Sequence, residues 1–151
     1  MPEMIDEPRI AADAAPVANA RTAHAPVSVV VPCFRCGATI GDSIASVYAQ
    51  TQRPAQVVLV DDASPDDTIG ALHAGAAQYP PGWIEVVQLA KNGGPSAARN
   101  AGWERATQPY VAFLDADDTW VPTKIELQMQ ALRADPEIAL QAHRMLVRER
   151  E

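Results

Sequence analysis

Four short runs rich in β-branched residues set the limits on how this chain folds: VSVVV at 27–31, QVVLVD at 56–61, WIEVVQL at 83–89 and YVAFLD at 110–115. Each is strand-length and is bounded by Pro, Gly, Asp or Asn. Between them the pattern turns helical. A helix is expected over about 38–51, with Ile40, Ile44, Val47 and Tyr48 on one face, and others over about 66–78, from Pro95 to about 106, and over about 122–134 with Ile125, Leu127, Met129 and Leu132 as its apolar residues. Pro32 is expected to end the first strand. Ser64, with Asp67 three residues on, reads as a helix N-cap with an acidic partner, and Pro95 suits the first turn of its helix. Strand–helix alternation with short loops specifies an α/β domain, a Rossmann-like and mainly parallel sheet with helices on both faces. Near-continuous apolar strands are what burial on both faces requires. Such sheets bind ligands at the carboxyl ends of their strands. There this sequence places PCFRCG, DDASPDD, KNGGPS and DADDTW.

The pattern spans residues 26–135. Residues 1–25, Ala/Pro-rich with no sustained apolar period, read as a disordered leader. Residues 136–151 read as a helical, charged tail, with Ile138, Ala142, Met145 and Leu146 at helical spacing. The 151 residues suffice for one core and are too few for two ordinary domains. A net charge of −7 argues against a nucleic-acid partner. The leader has no basic and apolar signal pattern, and no apolar run approaches the length of a membrane span. The expected location is therefore cytoplasmic, with a peripheral position at the inner membrane face compatible with it.

Chemistry concentrates in three loops. In FLDADDTW, Asp115, Asp117 and Asp118 crowd the end of a strand. Carboxylates this close repel unless a cation or protons neutralise them, and their hard oxygens suit Mg²⁺ or Mn²⁺. The same residues also read as an acidic turn with Asp118 capping the next helix. In VDDAS, Asp61 and Asp62 could bond a nucleobase or ribose, or form a cap or Asx-turn. In NGGPSAARN, Gly93 and Gly94 allow close backbone approach, the following helix offers free N–H groups to an anion, and Arg99 adds a fork for phosphate. It matches neither a dinucleotide nor a P-loop fingerprint. Cys33 and Cys36, the only two cysteines, form a C-x-x-C that suits a thiol oxidoreductase. No second ligand pair accompanies them, so a structural zinc site is not indicated. His24, His73 and His143 lack ligand spacing.

Taken in order, VSVVVPCF, QVVLVDDASPDDT, NGGPSAARNAGWERA and YVAFLDADDTWVPTKIELQ closely resemble the family 2 inverting glycosyltransferases with the GT-A fold, over residues 27–135. The resemblance implies a nucleotide-sugar-binding half-domain. Asp117, closing a D-x-D with Asp115, would hold the Mg²⁺ or Mn²⁺ that bridges the donor diphosphate. Asp115 would face the ribose or sugar, and Asp62 would bond the base, usually uracil. Phe34 would stack near that base beside the Pro32 backbone, and Gly94 and Arg99 would shape the nucleotide pocket. The reaction would transfer a sugar from a nucleotide diphosphate, most often UDP, with inversion. Arg35 departs from the Asn usual in the family. The resemblance also implies a truncated unit, because family members continue with strands that bind the acceptor and carry an acidic general base. No residue here takes that role, the acceptor is unspecified, and an exposed sheet edge would invite self-association. A thiol oxidoreductase using Cys33 and Cys36, or a non-catalytic interaction module, stays open beside this reading.

Overall fold

The computed structural model describes residues 24–142. Four parallel strands, β1 (Ala25–Cys33), β2 (Pro54–Asp61), β3 (Ile84–Gln88) and β4 (Tyr110–Phe113), alternate with α1 (Ile40–Tyr48), α2 (Thr68–Ala76), α3 (Pro95–Arg105) and α4 (Lys124–Ala134). The strand order is β3-β2-β1-β4, so β1 and β2 are central and β3 and β4 are the edges. The expected α/β sheet is therefore present, and every predicted strand and helix between residues 27 and 134 has its counterpart.

Side-chain alternation divides the core between the two faces. Val29, Val31, Val57 and Leu59 point to one side, where Ile40, Ile44 and Val47 of α1, Leu72 of α2, and Ile125 and Met129 of α4 cover them. Val30, Val58 and Val60 point to the other, where Ala98 of α3 packs. This second layer is thin because α3 offers small residues. A Cβ built on Gly102 would strike the side chain of Val30, with Val60 Cγ2 3.2 Å away. Gly102→Ala is expected to push α3 off the sheet and cost about 1–3 kcal/mol by overpacking. A urea midpoint unchanged from the wild type would refute it.

Three details differ from expectation. β1 runs through Pro32, which pairs with Val60, and ends at Cys33. The Val30 carbonyl accepts from Leu114 N–H on the β4 side, while Cys33 faces β2. Pro32, two residues after Val30, faces the same side beyond the end of β4, so its missing N–H breaks no ladder bond. Ser64 is not the N-cap of α2. Asp67 holds that position, and Asp66 Oδ1 accepts from the N–H (3.2 Å) and hydroxyl (2.7 Å) of Thr68. Likewise α4 begins after Thr123 rather than at a cap supplied by Asp118. Residues 136–142, expected to be helical, form a turn and irregular chain beyond α4. The remainder of that segment, and residues 1–23 of the expected leader, lie outside the described residues.

Lys124 is an unusual core member. It is 7% exposed, its Nζ stands 3.8 Å from the centroid of the Trp120 ring, and it donates to Gln128 Oε1 at 2.8 Å. Burial pulls its ammonium from 10.5 down to about 8. Between those values the unfolded chain holds the proton that the folded one has released. Stability therefore rises with pH from about 8 to 10.5, and the burial penalty is felt in full below 8. Lys124→Met is expected to gain about 1 kcal/mol at neutral pH and to flatten that slope. Thermal melts from pH 7 to 10.5 check it, and a variant less stable at pH 7 would show that the Trp120 contact outweighs desolvation.

Candidate functional site at the strand ends

The acidic turn follows β4 directly. Leu114, Ala116 and Trp120 point inward and are buried, so Asp115, Asp117 and Asp118 are left on the outer surface. The turn closes where Asp118 N–H donates to the Asp115 carbonyl at 3.0 Å. A polar stripe on α1, continued by Gln50 just past its C-cap, fastens it. Ser43 Oγ lies 2.9 Å from the Ala116 carbonyl and 2.7 Å from that of Asp118. Trp120 N–H donates to Ser46 Oγ at 3.1 Å, and the Gln50 amide donates to the Val121 carbonyl (2.8 Å) while accepting from Ile125 N–H (3.0 Å). Ser43, Ser46 and Gln50 are not among the residues singled out from the sequence, where the one signal is their helical spacing beside the apolar stripe; the structure shows Ser43 and Gln50 buried against protein.

The three aspartates do not converge. Among the described residues no group of three His, Cys, Asp or Glu side chains could hold a metal alone. Asp115 instead accepts from Arg99 Nη2 at 2.7 Å, a half-exposed ion pair that joins α3 to the turn. Partial burial, and then the charges of Asp117 and Asp115, hold the Asp118 carboxyl above the usual carboxylate range. Asp117 sits between them, exposed.

At the end of β2 the paired aspartates take different parts. Asp61, fully buried, accepts from Ser64 N–H at 3.3 Å and from the Gln88 amide at 3.4 Å, an Asx-type turn. Asp62 is 3% exposed, and its two carboxylate oxygens accept from Gly93 N–H and Gly94 N–H, each at 2.8 Å. Gly94, at φ 84°, is the N-cap of α3 and Pro95 its first residue. Of the N–H groups anticipated there, that of the N-cap Gly94 is taken, with that of Gly93 before it, by a carboxylate of the protein itself.

The last residues of β1, Pro32 and Cys33, lead into Phe34, which is 46% exposed with the Arg35 guanidinium 5.5 Å from its ring centroid. Arg35 N–H donates to Ser64 Oγ (3.0 Å) and Cys36 N–H to Thr68 Oγ1 (3.2 Å), so this loop leans on the one after β2. Arg35 has φ 50°, the left-handed region that Asn tolerates better than Arg. The departure from Asn therefore falls where the backbone is least suited to it. Arg35→Gly is expected to gain about 0.4–1 kcal/mol, read as a higher urea midpoint, and a lower midpoint would show that the stacking on Phe34 matters more. Cys33 and Cys36 are both buried and unbridged. The hydrogen bond to Cys36 and burial push the Cys33 thiol up.

Pro32 is the penultimate residue of β1, Phe34, Asp62, Gly94, Asp115 and Asp117 lie beyond the carboxyl ends of the parallel strands, and Arg99 lies in the second turn of α3. Direct bonds join Asp62 to Gly94 and Arg99 to Asp115. None of the seven lines the groove of about 560 Å³ elsewhere on the molecule, between β4, α4 and residues 138–142. No helix among the described residues is long and apolar enough to cross a membrane.

Comparison with known proteins bears on the family and the fold. The model of Glycosyl transferase family 2 matches residues 28–150. The succinoglycan biosynthesis protein ExoW of Rhizobium meliloti is 41% identical over 101 residues, 65% of this chain and 31% of that protein. The mannosyltransferase PcManGT of Pyrobaculum calidifontis, solved with GDP-Man and Mn²⁺, superposes with a TM-score of 0.67 at 30% identity, covering 78% of this chain and 35% of that one. S. aureus TarS 1-349 with UDP gives a TM-score of 0.63 at 28% identity, covering 72% of this chain and 32% of that one. The chain spans less than half the length of the curated relatives it matches. It belongs to glycosyl transferase family 2, and its parallel sheet has the GT-A architecture of those neighbours.

Proposed function

We propose that the strand ends of this domain bind a nucleotide-diphosphate sugar, the donor for an inverting transfer. The observation that carries the reading is the gathering of all seven residues at one end of the sheet. Phe34 offers a face for the base beside Pro32, Asp62 and Gly94 form the adjoining wall, and Arg99 and Asp115 lie toward the sugar and diphosphate. The turn suits a divalent cation that takes one or two carboxylates, Asp117 foremost, and completes its shell from substrate oxygens, as Mg²⁺ and Mn²⁺ do. When bound, such an ion stabilises the departing diphosphate as a Lewis acid. The GDP-Man and Mn²⁺ of the mannosyltransferase, and the UDP of TarS, support the donor class. The general base and the acceptor site have no assigned residues in this chain, so what is proposed of its own residues is donor binding.

Calorimetric titration of the chain with UDP and GDP, with and without Mn²⁺, tests this. Binding strengthened by Mn²⁺ supports it, and absence of any nucleotide binding overturns it. The oxidoreductase reading fares worse on chemistry. Its nucleophile must be an accessible thiolate, whereas Cys33 is 1% and Cys36 7% exposed. Self-association has one favouring observation, the exposed Trp103, Tyr110 and Phe113 along the β4 edge. A monomer by light scattering would remove it.

A further inference from the structure

We infer that Ser43 is a positioning residue for Asp117: its hydroxyl, reaching from the buried side of α1, holds the backbone on both sides of that aspartate and so aims the carboxylate at the place where a cation meets the donor. The inference rests on the donor-site reading above and deepens it, by naming what directs an exposed side chain.

Asp117 is exposed, so packing does not aim it. Its direction comes from the backbone that carries it. Three consecutive peptide units surround it, from Ala116 to Thr119, and each is tied. The carbonyl of the first, that of Ala116, lies 2.9 Å from Ser43 Oγ. The N–H of the second, that of Asp118, donates to the Asp115 carbonyl at 3.0 Å. The carbonyl of the third, that of Asp118, lies 2.7 Å from Ser43 Oγ. Peptide units are planar, so holding three in succession fixes φ and ψ at both Asp117 and Asp118.

The middle tie lies within the turn itself. The outer two both depend on one side chain. A serine hydroxyl carries one proton, which Ser43 shares between the two carbonyls. Ser43 is 1% exposed and Ala116 7%, so water has little room to replace the hydroxyl. The base it stands on is firm, because Ile40, Ile44 and Val47 of the same helix are buried in the core. Ser46 and Gln50 serve the far limb of the turn, at Trp120, Val121 and Ile125.

The test reads Mn²⁺ binding to the full chain with UDP by electron paramagnetic resonance, and exchange of the Asp118 amide without metal by NMR. Ser43→Ala is expected to weaken Mn²⁺ binding about tenfold or more, as loss of a group that orients a metal ligand does, and to speed Asp118 exchange by a similar factor. Ser43→Cys keeps a weaker donor of similar size. It is expected to fall between the two, and it serves if Ser43→Ala does not fold. Ile44→Val, one residue on, removes a core methyl group without touching the turn. It should lower the urea midpoint and leave Mn²⁺ affinity unchanged, which separates positioning from stability. Wild-type Mn²⁺ affinity in Ser43→Ala or in Ser43→Cys would overturn the inference. So would an Ile44→Val protein that loses as much affinity as Ser43→Ala. If the wild type binds no Mn²⁺ with UDP, the donor-site reading fails and the cation's part in the inference falls with it, while Asp118 exchange separately decides whether Ser43 holds the turn.

Discussion

Asp117→Ala is expected to remove the Mn²⁺-dependent part of nucleotide binding, a loss of at least about tenfold in affinity with Mn²⁺ present, while leaving cation-free binding unchanged. The reason lies in how the three aspartates divide their surroundings. Asp115 is engaged by Arg99 at 2.7 Å. Asp118 lies one residue beyond Asp117, its backbone carbonyl 2.7 Å from Ser43 Oγ and its N–H donating to the Asp115 carbonyl. Asp117 is exposed on the outer surface of the turn, while α1 fixes the turn's backbone through Ser43. In the proposed donor site, a cation arriving with a diphosphate would meet Asp117 as its principal carboxylate. The fold should not suffer, because the substitution removes a charge that repels its neighbours. Mn²⁺ titration followed by electron paramagnetic resonance, with and without UDP, reads the effect. Wild-type Mn²⁺ affinity in the variant would move the metal away from Asp117 and leave the acidic turn without its assigned role.

The sheet was legible in the sequence because burial on both faces leaves an unambiguous mark. VVLV has no polar residue to place on a surface, and it became the buried centre of β2. The ends of elements were less legible. β1 continues through Pro32 because the side that lost its N–H had no partner there, a fact of sheet order that no local pattern states. Ser64 looked like a cap by spacing, but the neighbouring Asp66 reaches the Thr68 N–H instead, and Ser64 Oγ receives Arg35 N–H. The candidate site was legible as a set of loops, since short strand–helix connections bring successive strand ends together. The partners of its charges were not. That Asp62 accepts from Gly93 and Gly94, more than thirty residues later, and that Ser43 and Gln50 look inward toward the acidic turn, depend on contacts between distant segments. Residues 136–142 show the converse error. Ile138 and Ala142 kept helical spacing, yet the chain beyond Asp135 is irregular and lines the groove beside β4.

Leu59→Ala is expected to have the largest effect on stability, about 2–5 kcal/mol, against a total of about 5–15 kcal/mol for a domain of this kind. Leu59 lies in the middle of a central strand, is wholly buried, and belongs to the same core as Ile44, Leu72 and Ile125 from three covering helices. Strands on either side hold β2 through the ladder, so the backbone has little freedom to close over the gap, and the cavity term is felt nearly in full. The loss should reach the site as well. Two residues further on, β2 ends at Asp61, and Asp62 follows with its grip on Gly93 and Gly94. If that clamp depends on a rigid β2, hydrogen exchange at the two glycine amides should accelerate in Leu59→Ala even where most molecules remain folded. Leu127→Ala on α4, 58% exposed, is the control and should change neither quantity measurably. Urea unfolding supplies the stability and amide exchange the local opening. A Leu59→Ala protein with an unchanged midpoint would mean that the face under α1, α2 and α4 is not the packed core described. A lowered midpoint with unchanged glycine protection would mean that the clamp stands independently of the strand that carries it.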